Sequence, residues 1–154
     1  MTAENACFQF LLLKGGIDYE YRRFINSLLE DETPLLPITT ELSFMGDDIK
    51  NVSACLYSYF FGKSIDTESV CTTLRLFLRN EYFSGRLSRE QCVNIMRVSS
   101  EFMDYWGKPS WHRMNLVASF CTIHDWLTEE QMEIEFEKTL RQYLETGFAD
   151  CYSV

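Results

Sequence analysis

The chain has 154 residues, 46% of them apolar and 15% aromatic, and carries a net charge of −9. That length and apolar content suit one domain, residues 1–154, closing a single hydrophobic core, and the aromatic share excludes a disordered tail. The acidic balance argues against a nucleic-acid surface, which needs clustered Lys and Arg, and favours basic partners.

At the N-terminus Glu4 stands where a secretory leader wants a basic residue, and the apolar run 8–13 is short and stops at Lys14-Gly15-Gly16, so no secretory signal is read. Residues 8–13 and 19–29 form either one helix interrupted at Gly15-Gly16 or two, because paired glycines weaken a helix. A loop follows over 30–37, where Pro34 and Pro37 fall. Thr40 is placed to cap a second helix whose apolar residues Leu42, Met45, Ile49, Val52, Leu56 and Phe60 keep three-and-four spacing up to Gly62.

A third helix is expected from about Asp66, with Val70, Leu74, Phe77 and Leu78 inward and Gly85 beyond its end. Ser88 and Gln91 then form a capping box for a helix that sets Cys92, Met96, Ser99, Phe102, Met103 and Trp106 on one side before Gly107 and Pro109 stop it. From 110 to 127 apolar residues occupy most of the circumference, which predicts the enclosed central helix of the bundle. Thr128 and Gln131 make a second capping box, with Met132, Phe136, Leu140, Tyr143 and Leu144 inward and Gly147 as the stop. One apolar helix ringed by amphipathic ones is an all-α globular bundle.

No run approaches the ~20 apolar residues of a membrane span, and the chain closes on Asp150-Cys151-Tyr152-Ser153-Val154 rather than on a greasy anchor. A cytoplasmic protein is expected. The six cysteines show no C-x-x-C pair and no histidine cluster, so neither metal nor cofactor is expected; Cys55, Cys71, Cys92 and Cys121 read as small core residues. The alternative to a monomer is a homodimer bridged through Cys7 or Cys151, against which a reducing compartment counts. Catalysis is not expected: His112 and His124 lie too far apart along the chain to act as a pair, and Lys14-Gly15-Gly16 lacks a phosphate-loop pattern.

Two motifs carry a functional reading. Residues 41–49, Glu41-Leu42-Ser43-Phe44-Met45-Gly46-Asp47-Asp48-Ile49, resemble the BH3 motif of the Bcl-2 family, L-x-x-x-G-D followed by an acidic and an apolar residue, and Ser110-Trp111-His112-Arg113 resembles that family's BH1 core, N-W-G-R. The family's Asn is Ser110 here and its Gly is His112, and no BH2 tryptophan motif follows the last helix, where residues 147–150 stand as its remnant. The pattern looks most like a divergent virus-encoded member of the iridovirus or poxvirus type.

The resemblance implies a Bcl-2-like bundle whose groove receives the BH3 helix of pro-apoptotic partners and so inhibits cell death, with recruitment to mitochondria through those partners. By motif position Arg113 would meet the ligand's aspartate; a cation in a helix's first turn opposes the macrodipole unless an anion lies nearby or solvent screens it. Ile49, Val52, Leu56, Phe60, Val98, Phe102, Met103, Leu116, Val117 and Phe120 would line the groove, with His112 in the place of the glycine that lets a ligand backbone come close. Leu42, Gly46 and Asp47 would belong to the fold, Gly46 sitting within a helix where a neighbouring helix packs tightly. The alternative function is a Bcl-2-fold viral interaction protein that blocks inflammatory signalling through other surfaces.

Overall fold

A computed structural model describes residues 1–151; Tyr152, Ser153 and Val154, part of the tail read as no anchor, lie outside the described residues. The described residues form nine helices and no strand: α1 Ala3–Lys14, α2 Tyr19–Asp31, α3 Pro37–Ser43, α4 Ile49–Phe60, α5 Thr67–Phe83, α6 Arg89–Phe102, α7 Pro109–Ala118, α8 Phe120–Ile123 and α9 Glu129–Thr146. The all-α expectation holds. None of these helices is long and apolar enough to cross a membrane. The chain divides into two compact units, residues 1–70 and 71–154, with the boundary in the first turn of α5.

In the first unit, α1 and α2 are separate helices, parted where Gly15 and Gly16 interrupt the run. The eight consecutive residues from Ala6 to Leu13 are all buried, Gln9 among them, so α1 is enclosed on every side. This corrects the assignment of the enclosed helix to 110–127. Its principal neighbour in the unit is α4. There Phe10 meets Tyr57 and Phe60 with ring centroids 5.6 and 5.5 Å apart, a spacing at which tilted and edge-on aromatic pairs attract.

The helix expected to run from Thr40 to Phe60 is two. Pro37 opens α3, so Thr40 is inside it rather than its cap, and the chain turns through residues 44–48 before Asp48 caps α4 by accepting the Asn51 N–H at 3.3 Å. Gly46 makes the turn with a φ of +57°, and a Cβ there would meet no heavy atom within 4 Å. The expected close approach of a neighbouring helix is therefore absent among the described residues; what requires glycine is the left-handed backbone. Were Gly46 helical, Gly46→Ala would stabilise by ~1 kcal/mol. In the left-handed region it is instead expected to destabilise by ~1 kcal/mol. Chemical denaturation of the two proteins reads the sign.

Glu32 organises the link from α2 to α3. Its carboxylate accepts hydrogen bonds from the Met1 amine at 2.5 Å, the Leu36 N–H at 2.8 Å and the Thr39 hydroxyl at 2.7 Å. These contacts, the amine foremost, hold its pKa down from 4.5 to about 2. A carboxylate depressed in the folded state contributes stability that is present above the unfolded pKa and lost as pH falls through the folded one. The thermal midpoint is thus expected to fall as pH drops from 4.5 toward about 2, less steeply in Glu32→Gln; identical acid profiles for the two proteins would remove the carboxylate from this role.

In the second unit both expected capping boxes form. Ser88 and Gln91 open α6 and Thr128 and Gln131 open α9, each side chain bonding the other residue's backbone N–H. Inward on α5 lie Leu74 and Leu78, and on α9 Phe136, Leu140, Tyr143 and Leu144; Val70, also buried on α5, is the last residue of the first unit. Arg89 at the start of α6 forks onto Glu133 of α9 at 2.8 and 2.5 Å, which offsets the unfavourable placing of a cation at a helix N-terminus.

Two boundaries differ from expectation. α6 stops at Phe102, where Lys108 donates to the Met103 carbonyl and Asp104 takes a φ of +51°, so Trp106 leaves the inward face and is 72% exposed. Asp is among the few residues that tolerate this backbone, because its short side chain bonds locally. The segment 110–127 likewise breaks at Ser119 into α7 and the four-residue α8. Val117, Ser119, Phe120, Cys121, Thr122 and Ile123 are all weak helix formers. The break goes with a packing contact: the Phe120 ring stacks on Phe136 of α9 at 5.4 Å.

Candidate functional site

Pro109 occupies the first position of α7, where its missing N–H costs nothing and its fixed φ suits a helix start. Trp111, Met114 and Val117 follow at helical spacing and are fully buried. That burial fixes the helix's rotation. Ser110, His112, Arg113 and Leu116 are left half-buried on its flanks.

Arg113 turns toward the end of α9. Its Nη1 donates to the Gly147 carbonyl at 3.3 Å, and its guanidinium lies 4.3 Å from the Phe148 ring centroid. The carbonyl end of a helix carries partial negative charge. Part of the counter-charge that a cation near the start of α7 calls for is thus supplied by α9. Arg75 of α5 reaches the same end, donating from Nη1 to the Leu144 carbonyl at 2.7 Å. Between the two guanidiniums lies a cleft of about 200 Å³, lined also by Ser110, Tyr143 and Thr146. A second cleft of about 300 Å³ runs beside it, where Arg113 and Leu116 face Ala149, Asp150 and Cys151.

His112 does not stand alone. Its imidazole stacks on Tyr105 at 5.4 Å and lies 5.6 Å from the exposed Trp106, in an aromatic cluster on the turn between α6 and α7. The other histidine, His124, is buried and bonds the Cys151 carbonyl. Among the described residues no group of His, Cys, Asp or Glu is arranged to hold a metal ion.

No family model, curated protein or solved structure matches the chain. The Bcl-2 likeness rests on the motif residues themselves.

The expected groove residues fall in both units. In the first, Val52, Leu56 and Phe60 are buried on α4 and Ile49 is half-buried. In the second, Met103, Val117 and Phe120 are buried, while Val98, Phe102 and Leu116 are half-buried. Phe120 is on α8 and not on a continuous fifth helix.

The BH3-like residues are divided between α3 and the turn after it. Leu42 is 1% exposed, as a residue of the fold should be, and lines a cleft with Tyr21 and Ile25 of α2. Asp47 is exposed and pairs with Arg22 of α2 at 2.8 Å, a contact worth ~0–1 kcal/mol at the surface. Cys7 and Cys151 are both buried and Cys121 is exposed, so a bridge through either terminal cysteine requires local opening.

Arg75 and Phe148 are site residues that sequence reasoning missed. Arg75 sits between inward Leu74 and outward Leu76 on an ordinary amphipathic helix, and its carbonyl partner is 69 residues away. No local pattern encodes such a meeting.

Proposed function

We propose that the protein acts by binding and not by catalysis, taking the amphipathic BH3 helix of a pro-apoptotic partner and restraining cell death, as its likeness to the Bcl-2 family implies. The observation that carries this reading is Arg113. It is half-buried, it borders two clefts, and among the described residues its guanidinium spends one donor, on Gly147. No carboxylate lies within ion-pair distance of it among the described residues. An arginine so placed can still offer a planar fork to an aspartate on an incoming helix. In this mode apolar anchors spaced one helical turn apart supply the buried area and the charged pair supplies register.

The test is calorimetric titration of a panel of BH3 peptides into the purified protein. Saturable binding by at least one peptide, lost when its aspartate becomes asparagine, is the expected result. The contact of Arg113 with Gly147 and Phe148 favours a second reading, in which the arginine closes the end of α9 and the same bundle blocks inflammatory signalling through other surfaces. Failure of every peptide to bind would make that reading the better one.

A further inference from the structure

We propose that the cleft between Arg75 of α5, Arg113 of α7 and the end of α9 is an oxyanion site, built for a phosphate group held by two guanidiniums. The two cations converge on one residue. Arg113 donates to the Gly147 carbonyl, and a Cβ added to Gly147 would lie 3.3 Å from Arg75 Nε and 3.5 Å from its Cζ. Bringing like charges together in a half-buried cleft is unfavourable, and the α9 C-terminus offsets only about half a charge.

The usual remedy, a carboxylate, is missing. Arg22, Arg23, Arg86, Arg89 and Arg141 each pair with an acidic side chain, whereas Arg75 and Arg113, like Arg79 and Arg97, do not among the described residues; what sets Arg75 and Arg113 apart is that they share one cleft. This holds in a chain with 23 acidic residues, none of which lines the cleft. What lines it instead is hydroxyl, from Thr72, Ser110 and Tyr143, beside Thr146, whose own hydroxyl already bonds the Gln142 carbonyl and the Phe148 backbone.

Each guanidinium carries five N–H donors and, among the described residues, spends one on a carbonyl, so donors remain on both. Forked donors, hydroxyls and net positive charge match a tetrahedral dianion better than a single carboxylate. The cleft's volume of about 200 Å³ admits one such group. The phosphate is either free or carried on a phosphorylated side chain of a partner. The site shares Arg113 with the helix-binding reading but does not rest on it, since the cleft and its two guanidiniums belong to described residues of this chain.

The experiment is calorimetric titration of the full chain with inorganic phosphate, and separately with O-phosphoserine, against acetate and chloride at matched ionic strength, with thermal unfolding of each mixture. Phosphate is expected to bind saturably at one site and raise the thermal midpoint, and acetate to bind at least about ten-fold more weakly, for want of the second charge. Arg75→Lys keeps the charge but loses the fork, and should weaken phosphate binding about ten-fold. Should that variant fold poorly, Thr72→Glu sets a carboxylate at an exposed position on the cleft rim and should abolish binding with the fold retained. Binding of O-phosphoserine as well as phosphate marks a phosphorylated side chain as the source, and binding of inorganic phosphate alone marks the free ion. The proposal is overturned if phosphate has no more effect than chloride, or if Thr72→Glu binds it as tightly as wild type; neither arm uses a peptide, so the helix-binding reading stands or falls separately.

Discussion

Arg113→Glu is expected to abolish binding of BH3 helices while the bundle stays folded. Removing one partner of a buried, hydrogen-bonded charge pair costs ~2–5 kcal/mol, and reversing its sign adds repulsion against the ligand's aspartate. That is a loss of roughly thirty-fold or more. The fold is not left untouched. The wild-type side chain bonds the Gly147 carbonyl and covers Phe148, and a carboxylate facing the carbonyl end of α9 forfeits both contacts, for about 1 kcal/mol of stability. Calorimetric titration of one BH3 peptide into both proteins, with thermal unfolding of each, separates the two effects. Equal affinity in the two proteins would show that Arg113 serves α9 alone.

Trp111→Ala is expected to be the most damaging single change to the second unit. The indole is fully buried at the third position of α7, and truncating a large aromatic in a closed core costs ~3–5 kcal/mol through lost transfer energy and the cavity left behind. It is also expected to free the rotation of α7 and so misplace Arg113, lowering peptide affinity without touching the ligand. A denaturant midpoint lowered at unchanged slope, together with weaker binding, is the expected pair of results. A loss under ~1 kcal/mol would mean that the site collapses around the smaller side chain.

The structure agrees with the sequence at the two capping boxes and at the end of α9, where the deciding interaction is local. The boxes at Ser88 and Gln91 and at Thr128 and Gln131 each close over three residues, and Gly147 ends α9 in the left-handed conformation with a φ of +78°. Such signals involve only neighbouring backbone groups, so they survive any tertiary arrangement. The inward faces of α5 and α9 were legible for the same reason, since helical periodicity is a property of consecutive residues.

Sequence and structure part where two arrangements satisfy the same local pattern. Leu42, Met45, Ile49, Val52 and Leu56 keep helical spacing straight through residues 44–48, yet Gly46 and Asp48 also make a good turn and cap, and the pairing of α1 with α4 goes with the second arrangement. Residues 110–127 are apolar enough to be one enclosed helix, but their weak propensities leave the break at Ser119 to Phe120 and Phe136.

By itself the sequence determined an all-helical chain, the capping boxes of α6 and α9, most of the inward faces of α5 and α9, and an arginine after a tryptophan at a helix start. Tertiary structure decided which helix is enclosed, where the BH3-like residues lie and what Arg113 touches. Its carbonyl partner lies 34 residues away and that of Arg75 lies 69. Two arginines that no motif connects meet at one helix end because the packing of α5, α7 and α9 brings them there, and long-range packing leaves no periodic trace in the chain that makes it.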